Sequence, residues 1–240
     1  MNDLYCYEGT DVLKNKLDIR DSKTLDLIEA EQSRMAMMLM YNENFSDFTS
    51  NGFYKIHYEL FKDIYDWAGK PRIINIIKRE TILAGKSVWY SNDDDIERNL
   101  NKAFDELNSI EWNSLSKEQF VKELVPRIAA IWQVHPFREG NTRTTVMMLT
   151  LFVEHYGYYI DKELLAESAG YVRNSFVLAS FGQYSEYEHL EKILLDAISE
   201  TPIQYAEYDD ISVTEKYTKY NTEKYEPTKH EAMPDGYENK

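Results

Sequence analysis

The chain has 240 residues, 43% of them hydrophobic and 29% charged, which is the composition of a globular domain with a sizeable core. Its formal net charge of −15 excludes a protein that binds nucleic acid through clustered lysines and arginines. Cys6 is the only cysteine, which excludes an internal disulfide, and we see neither a signal peptide nor an apolar run of about 18 residues. We therefore expect no membrane partner and a cytoplasmic location, with secretion as an effector left open.

The first 53 residues are predicted to pack on a core domain of residues 54–200. An extended segment comes first, and Asp21 then has the side chain that caps a helix start by accepting a hydrogen bond from a free backbone N–H. Four methionines lie between positions 35 and 40 of this helix. They predict apolar core packing, and an adaptable interface is the alternative.

A second helix is predicted from Phe53 to Trp67, because its apolar residues recur near the 3.6-residue spacing of a helix with one buried face. His57 lies on that apolar face. We favour a core histidine with satisfied hydrogen bonds over a metal ligand at this position.

Residues 73–86 lack the helical spacing of the preceding segment. They are rich in β-branched side chains and have glycine and proline around them. This composition predicts a small β-hairpin whose tip lies near residues 78–83. Such a hairpin offers an exposed edge with which an extended peptide can pair. An ordinary surface hairpin is the alternative.

Helical patterns fill most of the remaining chain. The run Asp93-Asp94-Asp95 precedes one helix, and we favour helix capping over metal binding for it. Ser116 and Gln119 form a capping box that opens a long apolar helix, which Pro136 ends. Another apolar helix begins near Asn141. The fold class is therefore predicted to be an all-α helical bundle with one small β-hairpin.

The loop between these two apolar helices contains several residues of types that can act on phosphates. An unperturbed histidine has a pKa of about 6.5, so His135 could take a proton from an attacking hydroxyl at neutral pH. Glu139 is a hard oxygen ligand suited to Mg²⁺, and Gly140 lets the backbone approach an anion at a helix start. Arg143 can bind phosphate oxygens with two hydrogen bonds. Each residue alone is ordinary, and their joint spacing favours nucleophilic attack on phosphorus.

The run His135-Pro-Phe-Arg-Glu-Gly-Asn-Thr-Arg143 resembles the signature of the Fic family, His-x-Phe-x-Asp/Glu-Gly-Asn-x-Arg. Two further stretches are similar to that family. Trp67-Ala-Gly-Lys-Pro-Arg72 with the following residues 74–78 resembles the approach to the family's target-aligning flap, and residues 175–182 resemble a late core helix. The resemblance covers about residues 54–195.

The resemblance implies a Fic-type helical bundle and a protein adenylyltransferase, which moves AMP from ATP to a Ser, Thr or Tyr hydroxyl of a target protein. It implies that His135 is the general base and Glu139 the Mg²⁺ ligand. The nucleotide-binding residues are then expected to be Arg138, Gly140, Asn141, Thr142 and Arg143. The flap that aligns the target is expected at Lys78, Arg79, Glu80, Thr81, Ile82 and Leu83. Besides the target, a small antitoxin-like inhibitor and a second copy of the chain are candidate partners.

Val146 departs from the family pattern, because many members have a second arginine there that holds the γ-phosphate. Transfer of UMP or phosphate, removal of AMP, and a non-catalytic binding module therefore stay as alternatives. The family's usual inhibitory pattern, Ser/Thr-x-x-x-Glu-Gly/Asn, has no full match, so either no restraint or a different restraining contact is expected.

The composition shifts at residue 201. Only three of the last forty residues are Ile, Leu, Val or Phe, which is too few to offset the entropy of ordering. We expect residues 201–240 to be an acidic, tyrosine-rich tail that is mobile or docked. Tyr217 and Tyr225 are candidate self-modification sites within it.

Overall fold

The computed structural model describes residues 3–204 and 219–220, and within them the chain folds into α-helices with one two-stranded antiparallel sheet. Most of the acidic tail, with Tyr217 and Tyr225, lies outside the described residues. The helices are α1 (Ser22–Met40), α2 (Ser50–Phe61), α3 (Ile96–Asn108), α4 (Lys117–Val134), α5 (Asn141–His155), α6 (Lys162–Glu167), α7 (Ala169–Ala179) and α8 (Glu188–Ala197). The all-α prediction is confirmed.

Helices α4 and α5 form the centre of the bundle. Most of their side chains are buried, and α3, α7 and α8 pack on α4 while α2 packs on α5. Helix α1 packs on the outer side of α2. Across residues 3–204, no helix combines the length and apolar character that crossing a membrane requires.

The helix starts follow local sequence signals. Asp21 accepts a hydrogen bond from Thr24 N–H, Ser116 and Gln119 complete a capping box, and Asp161 caps α6 through Leu164 N–H. The acidic run Asp93–Asp95 instead forms a 3₁₀ turn before α3 and makes no side-chain cap. The prediction that these aspartate side chains cap α3 was therefore wrong.

Two helical predictions need correction. Helix α2 ends at Phe61 and not at Trp67, although Ile64 and Tyr65 remain fully buried in the turns that follow. The apolar spacing continues past the end of the helix because the turns after it are also buried, and this is why the helix was predicted too long. On α1, Met40 is buried, but Met35 and Met38 are 55% and 56% exposed, so the methionine cluster is not core packing as a whole.

The segment predicted as a β-hairpin, residues 73–86, has no paired strands in the described structure. We call it the flap loop. The Glu80 N–H donates to Lys86 O at 2.9 Å, but the Lys78 N–H donates to the Ser87 hydroxyl and not to a backbone carbonyl. A 3₁₀ turn, Thr81–Leu83, closes its tip. The paired strands lie elsewhere, with β1 (Tyr159–Ile160) antiparallel to β2 (Ile198–Ser199).

Candidate active site

The motif loop, residues 135–140, joins the end of α4 to the start of α5. Helix α4 stops because His135 adopts a left-handed conformation, with φ 51° and ψ 57°, directly before Pro136. Gly140 is also left-handed, at φ 82°, and is the N-cap residue of α5. Two left-handed residues thus bound a short loop that turns the chain back along α4.

The loop is held from inside by Asn141. Its Oδ1 accepts a hydrogen bond from Phe137 N–H at 2.9 Å, and its Nδ2 donates to Phe137 O at 2.8 Å. The side chain is therefore committed to the loop backbone. The backbone N–H groups in the first turn of α5 are the ones that a helix start offers to an anion.

His135 has the hydrogen-bonding pattern of a base. Its imidazole is 3% exposed and packs against the Tyr90 ring at a centroid distance of 4.1 Å. Nδ1 lies 3.3 Å from Trp132 O, so we place the ring proton on Nδ1 and a lone pair on Nε2. Among the described residues, Nε2 has no hydrogen-bond partner.

The protonation state of His135 agrees with that role. Burial, followed by the charge of Lys78, holds the pKa of the imidazole well below its usual value. The ring is therefore neutral at physiological pH, and its free Nε2 can accept a proton.

Arg72 fixes the backbone of His135 to the flap loop. Its side chain is 2% exposed, and its guanidinium donates to His135 O at 2.9 Å, to Ile74 O at 2.6 Å and to Ser91 O. The Arg72 N–H also donates to Pro136 O at 2.7 Å. Sequence reasoning quoted Arg72 only as part of a family likeness and missed this contact.

Glu139 is ionised but already has partners. Its Oε1 accepts from Gly140 N–H at 3.0 Å, and its Oε2 lies 3.6 Å from Lys78 Nζ. Burial alone would raise the pKa of Glu139, but the Lys78 charge, the Gly140 N–H and the Arg143 charge together lower it. The carboxylate, about a third exposed, is thus a hard oxygen donor that stays charged.

Arg143 is paired with helix α1. Its Nη2 forms an ion pair with Glu29 Oε1, and its Nη1 donates to Ser33 Oγ at 3.0 Å. Tyr65 donates its hydroxyl to the other oxygen of Glu29. Sequence reasoning missed Glu29, because Leu25 and Ala30 stand where the family's inhibitory pattern has Ser or Thr and Gly or Asn.

Two other predicted nucleotide-binding residues serve the local structure. The guanidinium of Arg138 pairs with Asp3, with an Nη2 to Oδ2 distance of 2.7 Å, and so ties the N-terminal segment to the motif loop. The Thr142 hydroxyl accepts from Trp132 Nε1 at 3.0 Å and links α5 to α4. Both side chains remain partly exposed.

The six predicted flap residues divide by burial. Ile82 and Leu83 point into the core, and Glu80, 3% exposed, pairs with Arg173 of α7 at 2.8 Å. This pair anchors the flap loop on α7. Arg79 and Thr81 are exposed, while Lys78 turns inward toward Glu139.

Val146 lines a mostly apolar cavity of about 470 Å³ between α1, α5, α6 and α7. Arg143 lies at the same cavity, one turn earlier on α5. The buried Thr150 hydroxyl also lines it and has no hydrogen-bond partner among the described residues. The position of the family's second arginine therefore opens onto a large apolar space.

A model of the Fic/DOC family matches residues 47–153. A probable protein adenylyltransferase of Sinorhizobium fredii is 35% identical over 173 residues, which are 69% of this chain and 82% of that protein. Protein adenylyltransferase VbhT of Bartonella schoenbuchensis is 30% identical over 67% of this chain and 32% of its own, longer sequence.

Solved structures share the fold. The BepC protein of Bartonella tribocorum, solved with bound AMPPNP, superposes with a TM-score of 0.70 at 22% identity, over 82% of this chain and 97% of that one. An N-terminal Fic domain of Bartonella quintana with bound ADP gives 0.68 at 24% identity, over 81% and 94%. With its motif loop placed between two central helices and this degree of sequence similarity, the chain belongs to the Fic/DOC family.

Proposed function

We propose that this protein is a protein adenylyltransferase that transfers AMP from ATP to a hydroxyl side chain of a target protein. The observation that carries the proposal is the neutral, buried His135 on the loop that opens helix α5, whose Nε2 has no hydrogen-bond partner among the described residues. Relatives named protein adenylyltransferases, and Fic structures that hold AMPPNP or ADP, support the choice of ATP.

The reaction follows from these groups. The target hydroxyl gives its proton to His135 Nε2 while its oxygen attacks the α-phosphorus, and the bond from that phosphorus to the β-bridging oxygen breaks. Pyrophosphate leaves, and the target carries AMP as a phosphodiester. The first-turn N–H groups of α5 and Gly140 stabilise negative charge on the α-phosphate, and Arg143 binds the β-phosphate.

Glu139 fits a magnesium ion held jointly with the donor's phosphates. Mg²⁺ commonly takes one or two protein carboxylates together with substrate phosphate oxygens, and Glu139 is ionised and partly exposed. When bound, the ion would neutralise phosphate charge. Lys78 and Arg143 now supply positive charge near this carboxylate.

We further propose that the target lies along the flap loop. The exposed Arg79 and Thr81 face solvent at its tip, and the Glu80–Arg173 pair and Arg72 fix its base relative to His135. A small antitoxin-like protein and a second copy of the chain remain the proposed further partners. The cavity beside Val146 is where such an inhibitor would approach Arg143.

Labelled donors test the function. The protein is incubated with Mg²⁺, candidate target proteins and one of three donors, which are ATP labelled at the α-phosphate, ATP labelled at the γ-phosphate and UTP labelled at the α-phosphate. We expect protein-bound label from the α-labelled ATP alone. Label from the γ-position would establish phosphotransfer instead, and label from UTP but not ATP would establish UMP transfer. Hydrolytic release of AMP from a target that already carries it, with no donor present, would establish AMP removal instead. No transfer from any donor and no such release would leave a binding module.

A further inference from the structure

His57 lies directly beneath the motif loop, on the buried face of α2. Its imidazole is 0% exposed and stacks on the Phe137 ring at a centroid distance of 3.7 Å. Both ring nitrogens have partners. Nδ1 accepts a hydrogen bond from Gly69 N–H at 2.8 Å, and Nε2 lies 3.0 Å from Glu139 O.

These two contacts determine the tautomer of the ring. A backbone N–H only donates, so Nδ1 must carry the lone pair that accepts from Gly69. The ring proton is then on Nε2, which donates to the Glu139 carbonyl. The ring is therefore in its neutral form, because a protonated Nδ1 could not accept the hydrogen bond from Gly69.

The Glu139 carbonyl shares a planar peptide group with the Gly140 N–H. In a trans peptide these two groups point in opposite directions, so a hydrogen bond that fixes the carbonyl also fixes the direction of the N–H. A hydrogen bond to the carbonyl polarises the group as well and strengthens its N–H as a donor. That N–H lies at the start of α5 and now donates to the Glu139 carboxylate.

We propose that His57 is a positioning residue that aims the Gly140 N–H at a phosphate of the nucleotide donor. The proposal rests on the proposed function, because it takes the start of α5 as the phosphate site. An incoming phosphate competes with the Glu139 carboxylate for this N–H. His57 keeps the N–H in place while its partner changes.

His57 is the core histidine with satisfied hydrogen bonds that the sequence predicted, and the groups to which it bonds give it the further role. Phe61 and Phe137 already surround the site, and an aromatic hydrocarbon would pack there as well. The polar ring instead connects the turn at Gly69 with the peptide at residues 139–140. One side chain of α2 thereby holds two segments that are far apart in the chain.

Two amide substitutions separate the two hydrogen bonds. In His57→Asn the amide occupies the place of Nδ1 and retains an acceptor for Gly69, whereas in His57→Gln it reaches the place of Nε2 and retains a donor for Glu139. ATP binding in the presence of Mg²⁺ is measured by calorimetry, and the thermal midpoint of each variant is measured in parallel.

We expect His57→Asn to lose about tenfold in ATP affinity and His57→Gln to stay within about threefold of the parent, whichever variant melts lower. Equal losses in both variants, or a larger loss in His57→Gln than in His57→Asn, would overturn the proposal. A parent protein that fails to bind ATP at all would instead refute the proposed function.

Spectroscopy of the unsubstituted protein gives a result even where both variants fold poorly. Long-range ¹H–¹⁵N spectra report the His57 tautomer, and the Gly140 amide signal reports ATP binding. We expect the Nε2–H tautomer and a shift of the Gly140 amide on addition of ATP. An Nδ1–H tautomer, or a Gly140 amide signal that does not shift when ATP binds, would contradict the assignment.

Discussion

The two ends of the motif loop differ in whether their side chains are already paired with other groups of the protein. At the α4 end, His135 is held by Tyr90, Trp132 and Arg72, and its Nε2 is left without a partner among the described residues. At the α5 end, Glu139 and Arg143 are each paired with groups of the protein itself. The proposed base is therefore free to accept a proton, while the groups proposed to bind the donor must exchange partners first.

Because of this difference, substitutions at the two ends should affect different measured quantities. Changes at the α4 end should alter the rate of transfer with little effect on ATP binding. Changes at the α5 end should alter ATP binding, because there the donor competes with carboxylates.

The largest effect is expected for His135→Ala. Loss of a general base usually costs about 10²- to 10⁴-fold in rate, and we expect that loss in transfer of α-labelled phosphate. ATP affinity, measured by calorimetry, should stay within about threefold because His135 donates nothing to the phosphates. Substantial transfer by a folded His135→Ala protein would remove the histidine from the role of base.

The substitution Glu29→Gln tests the α5 end. It removes the negative charge that now pairs with Arg143 but keeps a side chain of the same shape, so phosphate should bind Arg143 more easily. We expect ATP affinity to rise about three- to tenfold. Ser33→Ala is the matched control, because it removes an uncharged partner of the same arginine and should change affinity little. Weaker ATP binding by Glu29→Gln would mean that Glu29 orients Arg143 and does not compete with the donor.

A smaller effect is expected for Val146→Arg. The neighbouring cavity of about 470 Å³ has room for the longer side chain, and its guanidinium would add positive charge one turn beyond Arg143. The ratio of ATP affinity to ADP affinity should rise a few-fold, because only ATP has a γ-phosphate to meet it. An unchanged ratio would show that the distal phosphate does not reach position 146.

The smallest expected effect is a displaced pH profile. Because the pKa of His135 is lowered, the base remains unprotonated at pH values where an ordinary histidine has already gained its proton. Transfer measured as kcat/KM against pH should therefore hold its plateau through about pH 6.5 and fall only below it. A half-maximal rate at or above that pH would contradict the depressed pKa.

Local signals in the sequence predicted the frame of the site. The capping box at Ser116, the stop before Pro136 and the helix start at Asn141 each depend on residues within a few positions, and all three are confirmed. The family was likewise predicted chiefly from nine consecutive positions, and the helical fold also followed from the apolar spacing along the chain. The roles of the individual site residues stay predictions.

The contacts that tune the site come from distant parts of the chain. Arg143 meets Glu29 across 114 residues and Arg72 meets His135 across 63, and neither pair has a recognisable spacing. The prediction of paired strands in the flap loop was wrong because it also ignored a contact with a side chain. The loop's β-branched residues suit a sheet, but the Ser87 hydroxyl takes the place of a ladder carbonyl at Lys78.

The close approach of Phe61 to Gly140 has an evolutionary consequence. A Cβ atom built at Gly140 would collide with the ring of Phe61, and the left-handed φ of 82° would add strain for any other residue. The packing of helix α2 thus requires a glycine at this position, independently of the phosphate contact that we propose for it. Sequences that replace this glycine are expected to carry a smaller side chain at position 61, so the two positions should covary among descendants of a common ancestor.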